Sequence, residues 1–177
     1  MRKLPLEIVA SLLAATTVVI ALPPLNLPVW GIFISWAGTF AMGGPSKENL
    51  KRIWLVMPIG SVVACLIVFG FEAASKFFSG HSFILAQMII LFCLNGAMML
   101  LGRFPVLGFL PGMFFGFASY FATLFGNFGP LPHSPFVALA AVLPMNALGP
   151  VYAWLTGRFS ASHPPHAPLA AKQEPQL

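Results

Sequence analysis

Six long apolar stretches occupy most of this chain, and they constrain its fold more than any other feature. A helix needs about 20 predominantly apolar residues to cross the hydrocarbon core of a bilayer, and most of the stretches approach that length. A bilayer offers the backbone no hydrogen-bond partners, so continuous apolar runs in it predict helices. The stretches are residues 6–22, 28–43, 53–71, 83–101, 106–125 and 135–156.

The composition supports a membrane protein and argues against several other classes. Only 7% of the 177 residues are charged, whereas a soluble domain carries about 25%. With 58% hydrophobic residues, the chain is also unlike a disordered protein, which combines low hydrophobicity with high charge. Its basic residues are few and scattered, so we expect no nucleic-acid partner. The prediction is an all-α polytopic membrane protein with the lipid bilayer as its surroundings.

The basic residues predict the orientation of the chain. With the N-terminus in the cytoplasm, eight of the nine Lys and Arg residues lie on the cytoplasmic side, and only Lys76 lies outside. Such an excess in short loops is the positive-inside pattern. It predicts an even number of spans, here six, with both termini in the cytoplasm. The segment Leu22-Pro23-Pro24 offers no small-residue cleavage site, so we expect the first span to be retained.

The domain organisation follows from the same pattern. Residues 1–157 form the predicted six-helix transmembrane domain. Residues 158–177 contain four prolines from Pro164 onward and are predicted to be a disordered cytoplasmic tail. The histidines of the tail, His163 and His166, lack the further donors that a metal site needs.

The two halves of the domain, about 1–78 and 79–157, resemble each other weakly. Ser35-Trp36 matches Ser119-Tyr120, and Thr39 matches Thr123 at the same spacing of 84 residues. Further matches join Gly44-Pro45 to Gly129-Pro130 and Val56-Met57-Pro58 to Val142-Leu143-Pro144. Three spans per half is an odd number, so the second half would be inverted in the membrane. Inverted three-plus-three repeats recur in transporters, where the solute path lies at the repeat interface.

Three apolar motifs also resemble a known family. They are residues 29–44 (VWGIFISWAGTFAMGG), residues 110–122, and the last span around residues 142–153. They are similar to small bacterial inner-membrane proteins catalogued as domain of unknown function 1097. The resemblance covers residues 6–157 and implies the topology and the location. It implies no catalytic residue.

Polar and aromatic side chains within the predicted spans are candidates for a solute path. Trp36 and Tyr120 lie in the middle of their spans rather than at the interface, where Trp and Tyr are usually found. They would form an aromatic constriction, although large rings at helical spacing also serve as core. Asn146 would either line the path or form a hydrogen bond between helices. The predicted path consists of Ser35, Trp36, Thr39, Ser119, Tyr120, Thr123 and Asn146.

Three further features have more than one interpretation. Gly108, Gly112 and Gly116 are four residues apart on the predicted fifth helix, a spacing that serves packing within one protomer or across a homo-oligomer. Glu72 and Lys76 are spaced for an ion pair on one helix face. The loop 126–134 is interpreted either as an outer vestibule, lined by Asn127 and His133, or as a plain turn.

The function that these observations favour is a channel or facilitator for a small, mostly uncharged solute. Charges at the membrane midplane mark ion and proton relays, and the predicted spans nearly lack them. The alternative is a non-transporting scaffold or accessory subunit of a larger membrane complex. The chain contains no Asp, no HExxH and no GxSxG motif, so we expect no enzymatic activity, cofactor or metal.

Overall fold

The computed structural model describes residues 3–161, which fold into six α-helices and form no β-sheet. A short 3₁₀ turn, Pro105–Leu107, precedes the fifth helix. The predicted all-α class is therefore confirmed. The helices are α1 (Leu6–Ile20), α2 (Trp30–Ala41), α3 (Lys47–Ser75), α4 (Gly80–Leu101), α5 (Leu110–Phe125) and α6 (Pro135–Phe159).

The helices fall into three long and three short ones. Helices α3, α4 and α6 are long and apolar enough to cross a bilayer, which makes this a membrane protein. Helices α1 and α5 have 15 and 16 residues and α2 has 12. A 15-residue helix is about 22 Å long, which is shorter than a hydrocarbon core of about 30 Å. The six crossings therefore stay a prediction.

The ends of the helices differ from the apolar stretches at two places. Helix α3 begins at Lys47, six residues before the apolar stretch, because the Ser46 side chain caps it by accepting the N–H of Asn49 at 3.1 Å. Helix α6 continues to Phe159, so the proposed domain boundary at residue 157 lies inside it. The remainder of the predicted tail, residues 162–177, lies outside the described residues.

Four helices form the centre of the bundle. Helix α5 packs chiefly along α3, α2 packs chiefly along α6, and α3 also contacts α6. Helix α4 packs along α3 at the periphery, and α1 lies more loosely against α6. The buried side chains fall into three clusters, one centred on Tyr120, one on Trp36 and Tyr152, and one on Met98 and Met113.

The helices alternate between two ends of the bundle. At one end, Leu4 pairs with the backbone around Ser160, and Pro45 of the α2–α3 connection lies beside Gly157. At the opposite end, the Gly129 N–H donates to the Asn26 carbonyl at 2.8 Å, joining the α5–α6 and α1–α2 connections. The first end, here called the basic end, carries most of the described cations: Lys3, Lys47, Lys51, Arg52, Arg103 and Arg158. Lys76 lies at the opposite end.

Candidate functional site

A buried hydrogen-bonded group of three residues, here called the polar node, lies where α3, α5 and α6 meet. The Asn146 amide donates to the Ser61 hydroxyl oxygen at 3.3 Å, and this hydroxyl donates to the Gly116 carbonyl at 2.8 Å. Ser61 is fully buried and Asn146 is 2% exposed. Asn146 is a predicted path residue, and Ser61 is its partner from the other half of the chain.

The polar node leaves one hydrogen-bond acceptor unused. Among residues 3–161, the side-chain oxygen of Asn146 is buried without a hydrogen-bond partner, and so is the Ser119 hydroxyl on α5. Buried polar atoms are nearly always paired, so each exception calls for a specific explanation. A Cβ on Gly31 would lie 2.8 Å from that oxygen of Asn146, so only glycine leaves room beside the acceptor. The unpaired oxygen therefore lies in the interior of the bundle, packed against α2 at Gly31.

Small residues let the backbones approach closely around the polar node. A Cβ on Gly60 would overlap the Met113 carbonyl, and one on Gly116 would overlap the Met57 carbonyl. These two glycines therefore interlock α3 with α5. Gly149 does the same for α6, where a Cβ would overlap the Ser35 hydroxyl of α2.

The predicted glycine face on the fifth helix is only partly correct. Gly112 and Gly116 are buried on α5, and a Cβ on Gly112 would overlap Val56 of α3. Gly108 is not on the helix: it is exposed and lies between the 3₁₀ turn and the start of α5 at Leu110. Pro111 in the first turn favours a helix start at this point. The glycine spacing thus extends past the helix end, and both helical glycines pack within the protomer.

A closed seam leads from the polar node toward the end opposite the basic one. Tyr120 is one helical turn beyond Gly116, and Cys65 is one turn beyond Ser61. The Tyr120 hydroxyl donates to the Pro135 carbonyl at 3.2 Å, and the Cys65 thiol lies 3.8 Å from the same oxygen. Tyr120 is fully buried and packs with Val142. We call Cys65 of α3, Tyr120 of α5, and Pro135 and Val142 of α6 the outer seam.

A cavity, here called the outer vestibule, lies beyond the outer seam at the end of the bundle opposite the basic end. It is a cavity of ≈ 310 Å³ whose polar lining residues are Glu72, Asn127 and His133. Asn127 and His133 adopt left-handed backbone conformations, with φ of 59° and 62°, which Asn and His tolerate better than most residues. The loop 126–134 therefore forms one wall of a cavity.

The predicted ion pair between Glu72 and Lys76 is wrong. Helix α3 ends at Ser75, and Lys76 is its C-cap residue, with helical backbone angles of φ −76° and ψ −22°. No salt bridge joins the two side chains, and Glu72 lines the vestibule. A spacing of four residues on a helix therefore permits an ion pair without ensuring one.

Trp36 lies on the other side of the polar node, toward the basic end. Its ring packs edge-on against Tyr152 at 5.5 Å between centroids and stacks on Phe33 at 6.2 Å. Trp36 and Phe33 also line a lateral apolar cavity of ≈ 410 Å³. Trp36 and Tyr120 belong to different clusters, so they do not form one constriction. They lie at two levels, with the polar node between them.

The remaining hydroxyls of the predicted path pair within their own helices. The Ser35 hydroxyl donates to the backbone carbonyl of Gly31. The Thr39 hydroxyl donates to the backbone carbonyl of Ser35, and the Thr123 hydroxyl to that of Ser119, all three bonds being 2.7 to 2.8 Å long. All three donor side chains are fully buried. These residues pack between helices, and the structure does not bring them together with the Asn146 amide in one hydrogen-bonded group.

Comparison with known proteins identifies a family without a described activity. A family model described as "Protein of unknown function (DUF1097)" matches residues 7–161. No curated protein and no solved structure matches the chain. Within residues 3–161, no three His, Cys or acidic side chains are grouped so that they could hold a metal ion.

Proposed function

This chain belongs to the DUF1097 family, and we propose that it is a membrane channel or facilitator for a small, mostly uncharged solute. The observation that carries the proposal is the unpaired Asn146 oxygen, buried in the polar node between the two halves of the chain. Transporters place solute sites near the midplane at such an interface. An amide acceptor suits a solute with an N–H or O–H donor, such as water, urea, a short amide or glycerol.

The proposed architecture has six crossings and an inverted repeat. Exchanging the halves 1–78 and 79–157 would turn the α2–α6 pair into the α5–α3 pair, and these are the two most extensive helix contacts. The outlying helices α1 and α4 would also exchange. Bilayers thin locally, at modest cost, around spans that are too short for them, so α1, α2 and α5 are compatible with crossing.

The proposed orientation places the basic end of the bundle in the cytoplasm of a bacterial inner membrane. Both described ends of the chain lie there, because Leu4 pairs with the backbone around Ser160. The positive-inside rule assigns that end to the cytoplasm. The outer vestibule then opens on the opposite side of the membrane.

In this proposal, the packed arrangement of the outer seam is the closed state of the path. A solute would pass from the vestibule through the outer seam, where Tyr120 would act as the outer gate, to the polar node. Trp36 would act as the inner gate, toward the cytoplasm. No Asp, Glu, Lys or Arg lies between Arg52 and Glu72 on α3, so an ion would meet no compensating charge along that helix. This lack favours uncharged solutes.

The test is solute flux through proteoliposomes, followed by stopped-flow light scattering. The panel contains water, urea, short amides, glycerol and small weak acids. We expect protein-dependent permeation of one solute class, loss of it in Asn146→Leu, and retention of it in Gln87→Leu. The control makes the same amide-to-apolar change on the outlying helix α4. Flat traces from folded, inserted protein would refute the proposal.

A scaffold or accessory subunit is the second candidate function. The observation that favours it is helix α4, because only 6% of the residues in its most apolar stretch are buried. A different protein that co-purifies at fixed stoichiometry would support this function. In that case the polar node would serve only to join the two halves.

A further inference from the structure

Helix α4 has one side against the bundle and one side facing away from it. Ile90 packs on Gly70 of α3, and Met98 is fully buried. The opposite side, here called the outward face of α4, consists of residues spaced alternately three and four apart: Leu85, Met88, Phe92, the half-buried Asn95 and Met99. Its apolar members are exposed, from Met99 at 44% to Phe92 at 81%.

The outward face contains one polar side chain at the depth of the apolar core. Asn95 lies about two-thirds of the way along the 22-residue helix. Its amide forms no hydrogen bond with any other residue among 3–161. Lipid tails cannot pair with an amide, and polar side chains in spans usually pair across helices. The amide therefore requires a partner that residues 3–161 of the single chain do not supply.

We propose that the outward face of α4 binds the same face of a second copy of this chain, with the two Asn95 amides hydrogen-bonded to each other. Two copies inserted in the same direction present parallel α4 helices related by a two-fold axis along the membrane normal. Each residue near that axis then faces its own copy. A carboxamide both donates and accepts, so Asn95 is its own complement.

The spacing of the outward face supports a second copy rather than a bound lipid. Apolar residues alternately three and four apart form the seam of a parallel helix pair, and one Asn in such a seam sets the register. The neighbouring Gly96 leaves open space, since a Cβ there would contact nothing within 4 Å. Small residues let two spans approach closely enough for the amides to meet.

Disulfide cross-linking in native membranes tests the arrangement. The background carries Cys93→Ser, because Cys93 is exposed on α4, and keeps the buried Cys65. We expect Phe92→Cys to form a cross-linked dimer on mild oxidation. The matched control, Ile90→Cys, lies on the side that faces α3 and should stay monomeric. Equal cross-linking of the two variants, or none in Phe92→Cys, would overturn the proposal.

The contribution of Asn95 is measured by energy transfer between labelled copies diluted into lipid vesicles. We expect Asn95→Leu to raise the dimer dissociation constant about three- to thirtyfold, the range known for amide hydrogen bonds between spans. Asn95→Gln should retain association, because it keeps an amide. Gln87→Leu, which changes an amide three residues before Ile90, should leave the constant unaltered. An unchanged constant in Asn95→Leu would overturn the role given to Asn95, whether or not the protein transports a solute.

Discussion

The Asn146 amide donates to the Ser61 hydroxyl oxygen at 3.3 Å and so links two positions 85 residues apart in the chain. Ser61 belongs to the first half and Asn146 to the second. Both helices carry a proline near this point, Pro58 in α3 and Pro144 in α6. A proline inside a helix removes one backbone hydrogen bond, so the side-chain contact joins the helices where each backbone is weakened.

A double-mutant cycle measures that link. We expect Ser61→Ala and Asn146→Ala to show a coupling of about 0.6 kcal/mol, with an upper bound of about 1.7 kcal/mol, because hydrogen bonds between spans have these values. The measurement is reversible unfolding in mixed micelles. Ser61→Ala combined with Gln87→Ala provides the control and should be additive, since Gln87 lies on α4. A zero coupling would mean that Ser61 and Asn146 do not pair.

The close backbone contact between α3 and α5 predicts that Gly116→Ala lowers the stability of the protein. Gly116→Ala places a Cβ against the Met57 carbonyl, which is backbone and cannot rotate away. Overpacking of this kind costs about 1–3 kcal/mol, and the same micelle unfolding would detect it. Gly96→Ala has open space and should leave the monomer as stable or slightly more stable, since Ala is the better helix former. Equal stability of the two variants would contradict the packing described for α5.

The six helices were predictable because each apolar stretch has one dominant requirement, which is to satisfy its backbone in lipid. The exact ends were less predictable. Helix α3 extends into the polar segment from Lys47 because Ser46 caps it, and a hydropathy pattern carries no such information. Gly108 fits the spacing of Gly112 and Gly116, but the helix starts after it. Spacing predicts a shared face only within one continuous helix.

The sequence allowed some residues of the candidate site to be predicted and left others hidden. Asn146 stands out as an amide in an apolar stretch, and it is buried as a member of the polar node. Ser61 carries a weaker signal, since serine occurs in many spans, and only the approach of α3 to α6 reveals its role. Pro135 could not be found at all, because it contributes a backbone carbonyl to Tyr120. Contacts between halves depend on the register of distant helices, which local patterns do not encode.

Tyr120 as the outer gate predicts a change in the reactivity of Cys65. In a Cys93→Ser background, Cys65 should resist small methanethiosulfonate reagents, because it is buried at 3% exposure. Tyr120→Ala removes the ring that closes the outer seam, so we expect Cys65 to become reactive from the vestibule side. Tyr120→Phe keeps the ring and should stay unreactive. If Cys65 in Tyr120→Ala remains protected while the protein is folded, Tyr120 does not separate it from the vestibule.

The orientation predicts which positions a membrane-impermeant thiol reagent can reach from outside intact cells. Single cysteines are placed at Arg103, beside the basic end, and at His133, in the vestibule wall, in a background with Cys93→Ser. We expect His133→Cys to be labelled in intact cells and Arg103→Cys only after the membrane is opened, because the positive-inside rule assigns the basic end to the cytoplasm. Lysed cells provide the control for reactivity at both positions. The reverse labelling pattern would invert the proposed orientation, and labelling of both positions from outside would reject the alternating six-crossing topology.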